Sequence, residues 1–371
     1  MFVGPLLRGR IGEVEVGEGL PVRVVGVINL SPESFYRGSV REKPEEAAEL
    51  ALELVNEGAD VIDVGGMSSA PYKETYVSEK VEMERVVGAI RRIRELSDVT
   101  ISIDTYRAKV AEAALKAGAN AVNDVSGLAQ GREMCEVIKE HGASIILVAR
   151  RDGGRGRDPI TKVRGSLKCC LEDALKWGLE PEDVVLDPGI GFFREEGMPW
   201  YEWDVSVLAG LRRLFLLGRP ILVGTSRKSF IGAILGQEDP EDRLIGSVVT
   251  EAVAVFNGAH AVRTHDVREA LQAVRLAEKM RKEVKFKEGR VIGVDLTRLI
   301  EEGDEEVLLG WLGVGGEAIK ALSRKLKFRV LFLRSVPDLL ATIMKQEMLY
   351  CIWIGKQWVS IWIKIMNCYR K

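Results

Sequence analysis

The residues of this sequence that carry chemistry fall at, or just beyond, the ends of short apolar runs. Asn29, Ser31 and Glu33 follow Val24 to Ile28, and Asp63 sits within Val61 to Val64, ahead of Gly65-Gly66-Met67-Ser68-Ser69. Asp104 follows Thr100 to Ile103, Asn123-Asp124 follow Ala121-Val122, and Asp187 follows Val184 to Leu186. Ser226-Arg227-Lys228-Ser229 lie just beyond Ile221 to Val223, and Arg263 and His265 close the last run, which starts at Ala261. Asp104, Asn123 and Asp187 suit a planar ligand with several N–H donors, because a carboxylate paired with such donors makes the strongest hydrogen bonds. Arg227, Lys228, Arg263 and His265 suit an anion. The combination predicts a site for a donor-rich heterocycle that carries a phosphate or similar group. Plainer roles compete for some of these residues. Asp63 and Asp124 read as structural, Asp104 is also placed to cap the helix that begins near Arg107, and His265 is placed to pair with Asp266. His141 and His260 read as surface or helix-end residues without a role.

The elements that must position these residues are visible as a repeat. Four helix-like stretches end in Gly-Ala before a short apolar run, at Gly58, Gly118, Gly142 and Gly258. Each glycine reads as a helix C-cap leading into a buried strand. The stretches Glu45 to Glu57, Arg107 to Ala117 and Gly246 to Asn257 carry apolar residues at helical spacing. The remaining strands are Val24 to Ile28, Thr100 to Ile103, Val184 to Leu186 and Ile221 to Val223. Eight strands alternating with helices, nearly all apolar on both faces, predict a parallel (β/α)8 TIM barrel of class α/β, whose chemistry sits at the C-terminal ends of the strands. An open doubly wound sheet is the alternative, but it would usually have a glycine-rich turn where Asn29-Leu30-Ser31-Pro32 stands. Residues 1–20 read as an N-terminal hairpin, 21–285 as the barrel, and 286–371 as a small α+β C-terminal appendage with a terminal hairpin.

Composition narrows the partners. The 53 Lys and Arg nearly balance 55 Asp and Glu, so no global basic field favours nucleic acid or a membrane surface. No run is apolar for the roughly 18 residues a membrane span needs, and charged residues interrupt the amino terminus where a signal peptide would be apolar. A cytoplasmic protein with small-molecule substrates is expected. Five irregularly spaced cysteines without a CxxC pair support neither a disulfide framework nor a zinc site. Three of the seven tryptophans, Trp353, Trp358 and Trp362, fall in the last 20 residues, where no acidic residue follows Glu347. They read as packing for the appendage or a subunit contact, with a membrane-surface or nucleic-acid role as the alternative.

Seven ordered motifs raise the match from spacing to resemblance. They are Gly26-Val-Ile-Asn29-Leu-Ser-Pro32-Glu-Ser-Phe35, Gly58-Ala-Asp-Val-Ile-Asp-Val-Gly-Gly66, Ser102-Ile-Asp104-Thr-Tyr106, Val122-Asn123-Asp-Val-Ser-Gly127, Leu186-Asp187-Pro-Gly-Ile-Gly-Phe192, Gly224-Thr-Ser226-Arg-Lys228-Ser-Phe230-Ile-Gly232 and Val262-Arg263-Thr-His265-Asp-Val267. Over about Pro21 to Lys279 the chain resembles the dihydropteroate synthase and pterin-binding barrel family, as an archaeal-type variant with an altered second loop. The resemblance implies condensation of a dihydropterin methyl pyrophosphate with 4-aminobenzoate or a related arylamine, in folate or methanopterin-type biosynthesis. It also implies Mg²⁺ and a homodimer. Carried over by position, Asp104, Asn123, Asp187, Phe192 and Lys228 would form the pterin pocket, with Asp104, Asp187 and Lys228 catalytic. Asn29, Ser69, Arg263 and His265 would hold pyrophosphate, with Asn29 also on the metal, and Ser226, Arg227 and Arg150 would lie beside the arylamine.

The chain departs from the family pattern at three places. Gly65-Gly-Met67-Ser-Ser69-Ala70-Pro71 lacks the usual arginine of the second loop, Val148-Ala149-Arg150-Arg151 replaces the usual Met-His, and Glu33 stands where aspartate is commoner. Arg150 either supplies the missing positive charge or meets a larger, phosphate-bearing arylamine. Two other functions share the barrel: a pterin-dependent methyltransferase acting on a corrinoid, and a non-catalytic pterin-binding protein that has lost activity with the arginine.

Overall fold

Strands that are apolar on both faces need cover on both, and this chain provides it by closing its sheet into a ring. A computed structural model describes residues 7–33, 36–67, 77–150, 158–193 and 197–288, with side chains as far as residue 281. A hairpin of β1 (Arg8–Ile11) and β2 (Val14–Gly17) precedes eight parallel strands: β3 (Arg23–Asn29), β4 (Val61–Gly65), β5 (Thr100–Asp104), β6 (Ala121–Asp124), β7 (Ser144–Val148), β8 (Val184–Asp187), β9 (Leu222–Gly224) and β10 (Ala261–Thr264). They pair in the order β8, β7, β6, β5, β4, β3, β10, β9. A bridge between Leu186 and Ile221, with Leu186 N–H donating to Pro220 O at 2.9 Å, joins the two ends and completes the barrel.

Helices follow the strands: α1 (Pro44–Glu57), α2 (Glu79–Leu96), α3 (Ala108–Ala117), α4 (Glu133–Glu140), α5 (Pro159–Lys176), α6 (Trp200–Ala209), α7 (Ser229–Leu235), α8 (Leu244–Phe256) and α9 (Val267–Glu288). Their starts and stops follow from local chemistry. Pro44 opens α1 with Glu45 and Glu46 in its first turn, where the free N–H groups favour acids. Gly58, Gly118, Gly142 and Gly258 have φ of 108°, 117°, 61° and 110°, the left-handed conformation that lets the chain leave a helix and enter the next strand.

Period-two alternation along the strands divides the core into two. Val24, Ile28, Ile62, Val64, Ile101, Ile103, Val122, Ile145 and Leu147 pack outward with the helices. Val25, Val61, Ala121, Ile146, Val185, Leu222 and Ala261 form a separate inner cluster, joined by Ile11 and Val16 of the hairpin. The hairpin therefore closes the N-terminal end of the barrel, tied there by Gly12 N–H donating to Ser144 Oγ (2.7 Å) and by the ion pair of Arg10 with Asp183. Above this layer the inward positions turn polar. The strands run one or two residues beyond the apolar stretches, so that Asn29, Asp104, Asn123 and Asp187 lie within the ladder. His260, read above as a surface residue, is buried instead, and its Nδ1 accepts the Ile221 N–H at 3.1 Å beside the closing bridge.

Ser69 and the elements expected in the appendage after α9, including the terminal tryptophans, lie outside the described residues. Truncation of the fully buried Ile11 to alanine empties volume shared with the inner cluster, far from the polar mouth. It is expected to lower unfolding stability by about 2–4 kcal/mol in urea titrations, with activity per folded molecule retained.

Candidate active site

The register sets the site. Asp63 on β4 lies across from Val27 and Ser102, and one step higher Gly65 lies between Asn29 and Asp104, with Asn123 beyond. Arg263 of β10 reaches into this layer. Its Nε donates to Asp63 Oδ2 at 2.6 Å and its Nη2 to Asp104 Oδ2 at 2.9 Å, so one guanidinium bridges two carboxylates from different strands. Asn123 Nδ2 donates to the same Asp63 oxygen at 3.2 Å. Asp63 was read as structural; it is that, but at the centre of the site. The available signal was a charged residue within Val-Ile-Asp-Val, in a strand buried on both faces. Among the described residues, Asp63 Oδ1, Asn123 Oδ1 and Ser102 Oγ are buried without a hydrogen-bond partner, which leaves acceptors for a ligand's donors.

On the other side Asp187 ends β8. Its Oδ1 accepts the Gly189 N–H at 2.7 Å. Lys228 donates its ammonium to Ile190 O at 2.5 Å and lies 5.3 Å from the Phe192 ring centroid, so Asp187, Phe192 and Lys228 form one wall. Burial pushes the Lys228 ammonium down, opposed by Asp187, and pushes the carboxyls of Asp104 and Asp187 up, opposed by Arg263 and Lys228 respectively. Asp104 does not cap α3. Thr105 Oγ1 takes the Arg107 N–H there, leaving Asp104 to Arg263.

Toward the mouth, Asn29 donates Nδ2 to Ser39 Oγ at 2.7 Å. Ser226 Oγ accepts the His265 backbone N–H at 3.1 Å and lies 2.9 Å from His265 Nδ1. The Ser226 hydroxyl thus holds both the backbone and the ring of His265 in place. Burial and the neighbouring Arg263, Arg227 and Lys228 hold the imidazole well below its ordinary 6.5, hence neutral.

Two residues expected beside an arylamine are occupied elsewhere. Arg227 is buried and forms a two-point ion pair with Asp266 at 2.8 and 2.6 Å. Arg150 leans onto α5, donating to Asp173 Oδ2 at 2.8 Å and to Cys170 Sγ at 3.3 Å. Asp124 is structural as read: it accepts from Ser126 and the Leu128 N–H and shapes the loop after β6. Sequence reasoning also passed over Arg85, which joins Glu33 (3.4 Å) to Gly66 O (3.0 Å), and the buried Glu82, which receives Thr105 and Arg107.

A closed parallel barrel with acids and amides near its axis and cations at its C-terminal mouth defines an enzyme that takes a polar heterocycle joined to an anion. The pterin binding enzyme family matches residues 25–265. The chain belongs to that family and, within it, to the dihydropteroate synthase group of transferases. It is 37% identical over 270 residues to the dihydropteroate synthase of Clostridium beijerinckii, spanning 72% of this chain and 98% of that one. A structure of the Clostridium difficile enzyme in the presence of pteroic acid superposes with TM-score 0.64 at 38% identity, over 71% of this chain and 97% of the other. That of Xanthomonas albilineans dihydropteroate synthase with 4-aminobenzoic acid gives 0.65 at 31% identity, over 75% and 99%.

Behind the mouth, Glu251 of α8 is buried against Thr264, and burial pushes its carboxyl up to about 8. The folded protein then holds a proton that the unfolded chain releases near 4.5. This contribution to stability is complete below about pH 4.5 and is lost as pH rises to about 8, at roughly 1.4 kcal/mol per unit at most. Glu251→Gln is expected to flatten that decline, measured as denaturant midpoints at pH 5 and pH 8.5.

Proposed function

We propose that this protein is a dihydropteroate synthase. It joins the methylene of a 6-hydroxymethyl-dihydropterin pyrophosphate to the amine of 4-aminobenzoate or a related arylamine and releases pyrophosphate, a step of folate biosynthesis. One observation carries the reading: buried acceptors of Asp63, Asn123 and Asp187 lie beside a rim that holds the guanidinium of Arg263 and the imidazole of His265. The N–H edge of a pterin suits the acceptors, and the pyrophosphate suits the rim. Of the relatives above, one was solved in the presence of pteroic acid and the other with 4-aminobenzoic acid, which is chemistry of the same kind.

Departure of pyrophosphate leaves positive charge on the pterin methylene, which the Asp104 carboxylate stabilises from its fixed place against Arg263. Arg263, whose Nε and Nη2 are fixed by Asp63 and Asp104, presents its positive charge to the departing oxygens, with His265 beside it at the mouth. Lys228 and Phe192 wall the pterin. The arylamine is a neutral nucleophile that needs positioning rather than a strong base. Asn29 fits Mg²⁺: with Nδ2 committed to Ser39, its Oδ1 faces Gly65 at the mouth, and Mg²⁺ is commonly held by few protein oxygens plus substrate phosphates. Among the described residues no cluster of three acidic, histidine or cysteine side chains could hold it alone. The ion would neutralise pyrophosphate.

A methyltransferase has no evident use for the Ser226 to Ser229 loop and the Arg263-Thr-His265 rim, and the relatives at hand are synthases. No described helix is long and apolar enough to cross a membrane, which fits the cytoplasmic location we propose. We also infer a homodimer through α7 and α8, where Ile234, Leu235, Ile245, Val249 and Val253 form an exposed apolar strip. Val249→Glu is expected to convert a sedimenting dimer to monomer; an unchanged assembly removes this face from the interface.

The decisive assay mixes protein, dihydropterin pyrophosphate, Mg²⁺ and either 4-aminobenzoate or a ribosyl-phosphate arylamine, and measures pyrophosphate release with and without EDTA. Release with 4-aminobenzoate that is lost in EDTA is expected. Pterin binding without release from any arylamine would leave a binding protein. Asp187→Ala is expected to abolish detectable pterin binding by calorimetry, since each charge-assisted hydrogen bond contributes roughly 1.5–3 kcal/mol. Unchanged affinity would overturn the pose.

A further inference from the structure

Arg227 is held more completely than a substrate contact requires. It is a non-glycine residue with φ of 58°, a conformation that its surroundings must enforce. Its N–H donates to Ser247 Oγ at 2.8 Å and its carbonyl accepts from Arg243 at 3.1 Å. Nε and Nη2 are taken by Asp266, and Nη1 donates to the carbonyls of Pro240 (3.1 Å) and Glu241 (2.5 Å). Of the five guanidinium protons four are therefore engaged, and the side chain is only 5% exposed. The flat face is covered too: the Tyr36 ring centroid lies 4.8 Å from the guanidinium carbon.

Tyr36 belongs to the loop after β3, and its ring has a second neighbour. It meets the His265 imidazole edge to face, with centroids 5.0 Å apart and planes at 68°. Its backbone is fixed from below: Ser39 Oγ donates to Tyr36 O at 3.1 Å and itself accepts from Asn29. The turn is built around the phenol as well, since a Cβ on Gly38 would come within 2.5 Å of the Tyr36 hydroxyl oxygen. Loops after three strands are thus laced together. Ser226 holds His265, Arg227 holds Asp266, and Tyr36 lies across Arg227 and His265 while its carbonyl is tied back to Asn29.

We propose that Tyr36 and Arg227 are positioning residues for His265, and that Arg227 does not bind the arylamine. The inference rests on the synthase reading for its kinetic consequence, but the packing it describes does not. Because the ring face and edge carry the contacts, phenylalanine should serve in place of Tyr36 and alanine should not.

Two measurements test this on the full chain with Tyr36→Ala, Tyr36→Phe and Arg227→Lys variants. In steady-state pyrophosphate release, Tyr36→Ala and Arg227→Lys are expected to raise the KM for dihydropterin pyrophosphate about five- to tenfold. The KM for 4-aminobenzoate should stay within twofold, and Tyr36→Phe should match the parent. A KM rise confined to the arylamine in Arg227→Lys would overturn the proposal, as would parent-like kinetics in Tyr36→Ala. The second measurement is the NMR spectrum of the imidazole groups, which are only three in this chain. Removal of the Tyr36 ring should displace the His265 ring signals, and Tyr36→Phe should restore them. Unmoved signals in Tyr36→Ala overturn the packing itself. Absence of release from the unaltered protein would instead refute the synthase reading, while the imidazole signals still decide whether Tyr36 positions His265.

Discussion

Everything in the barrel is arranged around one partly buried cation shared by two acids. Arg263 between Asp63 and Asp104 takes one charge wholly and two largely out of water, which is favourable only if each partner's geometry is fixed. The parallel register fixes it, because a strand cannot slip by one residue without turning its inward set outward. Gly224 stands beside Arg263, and Gly65 beside Asp104, in that register. The apolar layer below, completed by Ile11 and Val16, supplies the burial that offsets the desolvation of the charges above it.

Much of this was legible without coordinates, for a physical reason. A parallel strand covered on both faces must be apolar throughout, so a polar residue at its end stands out, and Asn29, Asp104, Asn123 and Asp187 all stood out. Glycine at a helix end is equally explicit, since Gly58 and Gly118 occupy a conformation other residues avoid. Asp63 was underrated because a residue inside an apolar run looks like an exception to be explained away. Its significance appears only when Arg263, 200 residues later, is seen to close upon it.

Side-chain direction was the information that spacing could not carry. Arg227 and Lys228 are adjacent cations in one loop, yet Lys228 faces Asp187 and Ile190 while Arg227 faces Asp266, because Arg227 is itself in the left-handed conformation and redirects the chain. Arg150 shows the same limit. Its position after β7 suggested a ligand contact, but Asp173 lies one helical turn beyond Cys170 on α5, and the two together draw the guanidinium onto the helix. Residue type and topological level identify candidates; the acceptors that happen to be within reach decide among them.

The hairpin beneath the barrel has a consequence for traffic. With β1 and β2 packed on its inner apolar layer, the lower end of the barrel is closed among the described residues, and the polar site opens at the other end. A ligand that settles among Asp63, Asn123 and Asp187 must pass the level of His265 and Lys228 on its way in, and anything bound later at that level stands in its way out. Loading and unloading would then follow depth, the deeper ligand first to arrive and last to leave.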